Sequence, residues 1–312
     1  MVVEQRRPTF SDPELQAELD RTGWVVVPLL DVDEARDLRA TLERFVPPDP
    51  PPMFSPHRGD TIEDRIAMSE IVADRLLGPT QDLIPDHRPL MASIIAKRPG
   101  ADSELPLHRD WNFVDESRFT SVLVWVALED VSPDNGGLYA VAGSHRLGQT
   151  YRGSGPGEWP PSEDGVRDEL VERYLTHIEV PTGHACIFDN SILHGSLPNS
   201  SDRIRIVAAA TLAPIEADVI HYYVDADQRR YRYHLDPTFL MRVHELDRVF
   251  EGDHVRGVEE VDLTLLRFGA DELDRLVPTS KPAPTGDAIA EQGSPSLERR
   301  RRWYELGRLR RS

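Results

Sequence analysis

The chain has 312 residues, of which 39% are hydrophobic and 29% charged, and a formal charge of −18. That composition fits a soluble globular protein with a sizeable core, and the acidic balance excludes nucleic acid as the expected partner, since phosphate binding needs clustered Lys and Arg. The one cysteine, Cys186 in "ACIF", excludes a disulfide scaffold and points to a buried thiol in a reducing cytoplasm, while no apolar run approaches the roughly 20 residues of a membrane span and the N-terminus lacks a signal-peptide core.

Residues 1–10 are read as a tail. Ser11 is placed to cap a first helix, with Pro13 in its first turn and Gly23 as its stop. "WVVVPLL" (24–30) reads as a short strand. Asp31 and Glu34 form a capping-box pair for a helix to about Phe45. "VPPDPPPMFSP" (46–56) is a linker that cannot be helix or central strand. Ile62, Ile66, Ile71 and Leu76 have helical spacing over 60–77, so residues 11–85 form a helical part.

From residue 90 the pattern changes. "LMASIIAK" (90–97), "TSVLVWVALED" (120–130), "LYAVAG" (138–143), "THIEVPTG" (176–183), "HACIFDNSILHGS" (184–196) and "RIRIVAAATLAP" (203–214) are strand-like runs separated by turn signals. Several short strands without βαβ alternation predict a mainly β fold with flanking helices, an antiparallel sandwich or jelly roll with its core at 90–214. The insert 148–175, with a helix in "EDGVRDELVERYL", is placed to cover the barrel mouth. Residues 215–270 are expected as an aromatic and helical segment closing a single domain at 11–270, followed by a flexible tail, 271–312. Ser294 to Ser312 holds seven Arg and two Glu, which leaves −23 on the rest of the chain.

The stretch "PLHRDWNFVDE" (106–116) carries a His-x-Asp pair, His108 and Asp110. On a strand, residues i and i+2 face the same way, so one ion could meet both. The candidate third ligand is His194 in "SILHGSLPN". Two histidines and a carboxylate are the set that non-haem Fe(II) oxygenases use, with positions left open for O2 and a chelating co-substrate. Arg205, eleven residues after His194 on the next strand, has the fork to grip the far carboxylate of 2-oxoglutarate. A second pair, His234 and Asp236, is followed by Pro237 and reads as a loop with Asp236 as a cap.

These blocks resemble the phytanoyl-CoA dioxygenase (PhyH-like) group of Fe(II)/2-oxoglutarate dioxygenases. The resemblance rests on "LHRDW", "VWVALEDVSPDNGGLYAVAGSH" and "PTGHACIFDNSILHGSLPNSSDRIR", in order, over roughly residues 90–214. It implies a double-stranded β-helix (cupin-like), with His108, Asp110 and His194 as iron ligands. It also implies 2-oxoglutarate on Arg205, assisted by Ser196 and flanked by Trp125. Arg203 is the rival for that role, since strand direction alone does not separate i from i+2. Asn135, Gly136 and Gly137 and the "GSH" at 143–145 read as structural. Relatives that halogenate lack the carboxylate ligand, so Asp110 points to oxygen transfer. Trp111, Asn112 and Tyr222 are candidates for the substrate pocket, with Phe113 and Tyr223 beside them. The expected activity is hydroxylation of a C–H bond in a small metabolite, free or tethered to a carrier, of the kind found in bacterial secondary metabolism. Desaturation, epimerisation or ring closure by the same iron chemistry is the alternative, and a silent β-barrel binding protein the rival class.

Overall fold

The structure is a computed structural model that describes residues 6–55, 61–148, 150–159, 166–242 and 253–264, together with Glu272 and Arg275. The Arg-rich segment from Ser294 therefore lies outside the described residues, as does nearly all of the expected tail. Helix α1 (Pro13–Thr22) is capped by Asp12 rather than Ser11, its carboxylate accepting from the Glu14 and Leu15 amides. Gly23, at φ 94°, ends it in the left-handed conformation that glycine adopts without strain. Residues 6–10 are not a free tail: Arg7 pairs with Glu216, and Phe10 is buried.

Strand β1 (Trp24–Pro28) leads to α2 (Val32–Leu42), where both halves of the Asp31–Glu34 capping box form. The proline-rich stretch contributes only a two-residue edge strand, β2 (Met53–Phe54). Helix α3 (Ile62–Leu83) runs past the expected end at 77 and carries Pro79 inside it. Burial of Leu76, Thr80 and Ile84 in the core outweighs the local break.

The β region is a two-sheet sandwich. With β1 and β2 it comprises β3 (His87–Lys97), β4 (Leu105–His108), β5 (Val122–Ala127), β6 (Leu138–Val141), β8 (Leu175–Ile178), β9 (His184–Asp189), β10 (His194–Ser196) and β11 (Arg205–Pro214), while the two-residue β7 (Gly153–Ser154) lies outside both sheets. The major sheet has the order β1-β9-β5-β11-β3-β2, and the minor sheet β4-β10-β6-β8, with antiparallel pairing throughout both. Alternation assigns the faces. Ile94, Val124, Ile187 and Ala208 pack under Leu38, Met68, Val72 and Leu76 of the helices. Trp125, Cys186, Phe188 and Val207 turn inward to Leu138, Ala140 and Ile178 of the minor sheet.

Three expectations need correction. "HACIFDNSILHGS" is two strands, because Asp189 accepts from the Ser191 amide and hydroxyl and turns the chain from the major sheet into the minor one. Helix α4 (Arg167–Arg173) does not cover the mouth: Leu170 and the following Tyr174 pack with Leu107, Tyr139, Val141 and Leu193, which alternate with the inward residues. The segment after 214 is mainly strand. β12 (Val219–Val224), β13 (Arg230–Leu235) and β14 (Val255–Glu260) form a sheet with β7, and among the described residues of 215–264 the one helix is α5 (Phe239–Arg242). Val219, Tyr223, Tyr233 and Leu235 enter one apolar cluster with Leu90 and Phe113, and that burial selects the hairpin. Among the described residues no helix is long and apolar enough to cross a membrane.

Candidate active site

The switch at 190–193 sets His194 opposite His108 in the β10–β4 register. Their rings lie 4.4 Å apart between centroids, and Phe188 packs 4.7 Å from the His194 ring. Asp110 stands two residues beyond the end of β4, so the strand alternation does not itself place it. Its amide donates to the Asn190 carbonyl at 3.1 Å, and its Oδ1 lies 3.8 Å from His108 Nε2. One ligand atom from each of His108, Asp110 and His194 falls within 4.8 Å of the others, the one such convergence of three among the described residues.

Both imidazoles are oriented from behind. His108 Nδ1 lies 2.8 Å from the Pro106 carbonyl and His194 Nδ1 lies 3.1 Å from that of Ile192. A carbonyl only accepts, so each Nδ1 carries the hydrogen and each Nε2 keeps its lone pair. Burial, followed by the neighbouring His108, pushes His194 down to about 4 and keeps it neutral. Two imidazole nitrogens and a carboxylate make a nitrogen–oxygen donor set suited to Fe(II).

Arg205 is 2% exposed, and its guanidinium carbon lies 5.3 Å from the centre of the Trp125 ring. Its Nε and Nη1 are buried with no hydrogen-bond partner among the described residues. Arg203 precedes the strand, is exposed, and lines an outer groove with Arg36, Arg39 and Glu129. The same-face argument therefore does not apply, because β11 begins at Arg205. Unmet guanidinium donors behind an inward-facing tryptophan fit a carboxylate that the described residues do not supply. Ser196 is buried, its Oγ 2.6 Å from Nζ of Lys97, the residue paired with Arg205 across β3 and β11. Lys97 is 0% exposed, and burial together with the adjacent Arg205 pushes its amine down to about 6.

Other candidates separate. Asn112 is 1% exposed and spent on the backbone: its Nδ2 donates to the Thr150 carbonyl at 3.1 Å and its Oδ1 accepts from the Arg152 amide at 2.7 Å. Trp111 is half-buried, its ring edge-on to His221 at 5.3 Å. Tyr222 is buried edge-on to Tyr151 at 5.2 Å, bonded to Arg232, and pushed up to about 12 by burial. His145 Nε2 faces the Asp20 carbonyl at 3.2 Å, and Ser144 Oγ accepts from the Leu193 amide, so "GSH" supports the turn before His194. The duplicate pair diverges: His234 meets Glu259, while Asp236 accepts from Thr238.

Two residues of the site were missed. Arg152 Nε donates to the Asp110 carbonyl at 2.5 Å, and its other nitrogens grip the Glu116 carboxylate at 2.9 and 2.5 Å. Nothing local in "TYRGSG" marks it. Lys97 did carry a signal, a lone charge closing the apolar strand "LMASIIAK" in a chain with only one other lysine.

A double-stranded β-helix holding a His-x-Asp…His cluster is the architecture and donor set of the non-haem Fe(II) oxygenase class. The chain belongs to the phytanoyl-CoA dioxygenase (PhyH) family, a family of Fe(II)/2-oxoglutarate dioxygenases, which it matches over residues 10–207. It is similar to Phytanoyl-CoA dioxygenase domain-containing protein 1 of Danio rerio, 32% identical over 122 residues, 38% of this chain and 42% of that protein. It is also similar to Phytanoyl-CoA dioxygenase of Arabidopsis thaliana, 29% identical over 129 residues, 41% of this chain and 44% of that one. The chain thus spans less than half the length of these curated relatives. Among solved structures, the non-heme alpha ketoglutarate dependent carbocyclase SnoK from nogalamycin biosynthesis shares the fold. Its TM-score is 0.52 at 17% identity, covering 69% of this chain and 90% of that one.

Proposed function

We propose that the protein is an Fe(II)- and 2-oxoglutarate-dependent dioxygenase that hydroxylates a C–H bond of a small metabolite. The carrying observation is the convergence of His108, Asp110 and His194 with both Nε2 lone pairs free. His108, Asp110 and His194 would hold Fe(II), and Arg205, with Ser196 and Trp125, would hold the far carboxylate of 2-oxoglutarate. When bound, that pair reacting with O2 supplies the oxidising power to break a C–H bond. The protein's share is placement: the Pro106 and Ile192 carbonyls fix the imidazoles, the Asn190 carbonyl and Arg152 fix Asp110, and Phe188 shields His194.

Asp110 favours oxygen transfer over halogenation. Trp111 and Tyr222, beside the ligand segment and on β12, are proposed to meet substrate; Asn112 is a support. The acidic body favours a small polar or amphipathic substrate, free or carrier-tethered, over a polyanion. Fully buried, unpaired Cys186 is consistent with a reducing cytoplasm, and one catalytic domain over 11–270 is the proposed organisation. A second reading, ring closure by the same chemistry, draws support from the carbocyclase that shares the fold.

The test is mass spectrometry of candidate metabolites incubated with the Fe(II)-loaded protein, 2-oxoglutarate and ¹⁸O2. Succinate with a heavy-oxygen product supports hydroxylation. Succinate with a dehydrogenated, unlabelled product supports ring closure or desaturation. Failure of the protein to bind Fe(II) and 2-oxoglutarate would sink both.

A further inference from the structure

Lys97 closes β3 directly opposite Arg205, which opens β11. Directly paired strand residues share a face, so two basic side chains lie side by side between the sheets, at 0% and 2% exposure. Lys97 Nζ reaches the Ser196 Oγ at 2.6 Å, the Leu197 carbonyl at 2.6 Å and the Ser196 carbonyl at 3.3 Å, and no carboxylate among the described residues. The charged groups facing it are Arg205 from β11 and half-buried Glu104 ahead of β4. From β10 and the residue after it come Ser196 and Leu197, and from the turn before β6 comes Gly136, none of them charged. Like charges opposed on neighbouring strands are unfavourable, and burial makes them more so. Lys97 is accordingly held down to about 6, mainly by burial, and is largely neutral at neutral pH while the subsite lacks an anion.

A neutral amine has two N–H groups and one lone pair. At these three contacts the neutral form can give its hydrogens to the Ser196 and Leu197 carbonyls and accept the Ser196 hydroxyl hydrogen, whereas the ammonium donates to all three. Adding one proton reverses that last bond: all three N–H groups donate, and the Ser196 hydroxyl hydrogen is released. An anion beside Arg205 supplies the charge that makes the ammonium tolerable.

We propose that Lys97 takes up one proton from solvent when 2-oxoglutarate seats its carboxylate beside Arg205, turning the Ser196 hydroxyl from the lysine toward that carboxylate. The proposal rests on the co-substrate reading above and adds a protonation step to it. No covalent bond changes, and the proton gained by Lys97 is lost by buffer.

The experiment is calorimetric titration of 2-oxoglutarate into the Mn(II)-loaded protein near neutral pH, in phosphate and in Tris, whose ionisation enthalpies differ widely. Near one proton taken up per site is expected for wild type, with affinity falling toward about tenfold per pH unit as pH rises. Lys97→Arg, permanently charged, should bind without uptake and with a flat pH profile. Lys97→Met should bind about tenfold or more weakly, also without uptake. Equal enthalpies in the two buffers for wild type, or undiminished uptake in Lys97→Arg, would overturn the proposal. Absence of 2-oxoglutarate binding to wild type would instead strike the proposed function, and this inference with it.

Discussion

Arg203 and Arg205 stand two positions apart, yet one faces an outer groove and the other the space between the sheets. Arg205→Ala removes a fork of charge-assisted donors, each worth about 1.5–3 kcal/mol, so the 2-oxoglutarate requirement should rise roughly 100-fold. Arg203→Ala should leave it within about twofold, because an exposed cation contributes little. Succinate formation against 2-oxoglutarate concentration reads both. Asp110→Ala should abolish turnover and weaken Mn(II) binding by at least about tenfold, read by metal titration of the purified variant. The ligand set was legible because its three members sit in short, distinctive blocks. Arg205 was not separable from Arg203, since only the true start of β11 distinguishes them.

Just ahead of β7, the segment 150–152 is bolted to the stretch that carries and follows Asp110. Arg152 holds the Asp110 carbonyl and Glu116, its side chain 13% exposed and that of Glu116 3%. Breaking a buried ion pair from one side costs about 3–5 kcal/mol, so Arg152→Met should lose that much unfolding free energy in denaturant titrations. Its metal affinity should fall as well, because Asp110 loses a support. At Gly195 an added methyl carbon would sit 2.5 Å from the Tyr139 ring and 2.6 Å from the Leu105 carbonyl. Gly195→Ala should therefore push β10 off its neighbours and weaken metal binding in a protein whose circular dichroism stays native. Elements with local grammar were readable, such as the capping box at Asp31 and Glu34. The sheet switch after Asp189, the side on which α4 packs and the hairpin β12–β13 were not, because each depends on partners distant in sequence.

Across the molecule, buried Lys97 links stability to pH. Its amine is depressed from 10.5 to about 6, so between those values the unfolded chain binds more protons than the folded one. Stability of the co-substrate-free protein should therefore rise with pH through that window, the penalty being full below about 6 and gone above 10.5. Lys97→Met should flatten this contribution and raise the melting temperature, trading stability against co-substrate binding. Mn(II) and 2-oxoglutarate at about 100 times their dissociation constants should add about 2.7 kcal/mol each, or roughly 5–10 °C apiece in thermal melts.

The pairing of β1 with β9 has a consequence for biosynthesis. Trp24 lies against Phe188, so the strand "WVVV" leaves the ribosome long before its partner exists. At about 5–20 residues per second the interval is roughly 8–30 s. Throughout it an apolar segment is without its sheet partner, the condition under which unpaired strand edges of nascent chains aggregate.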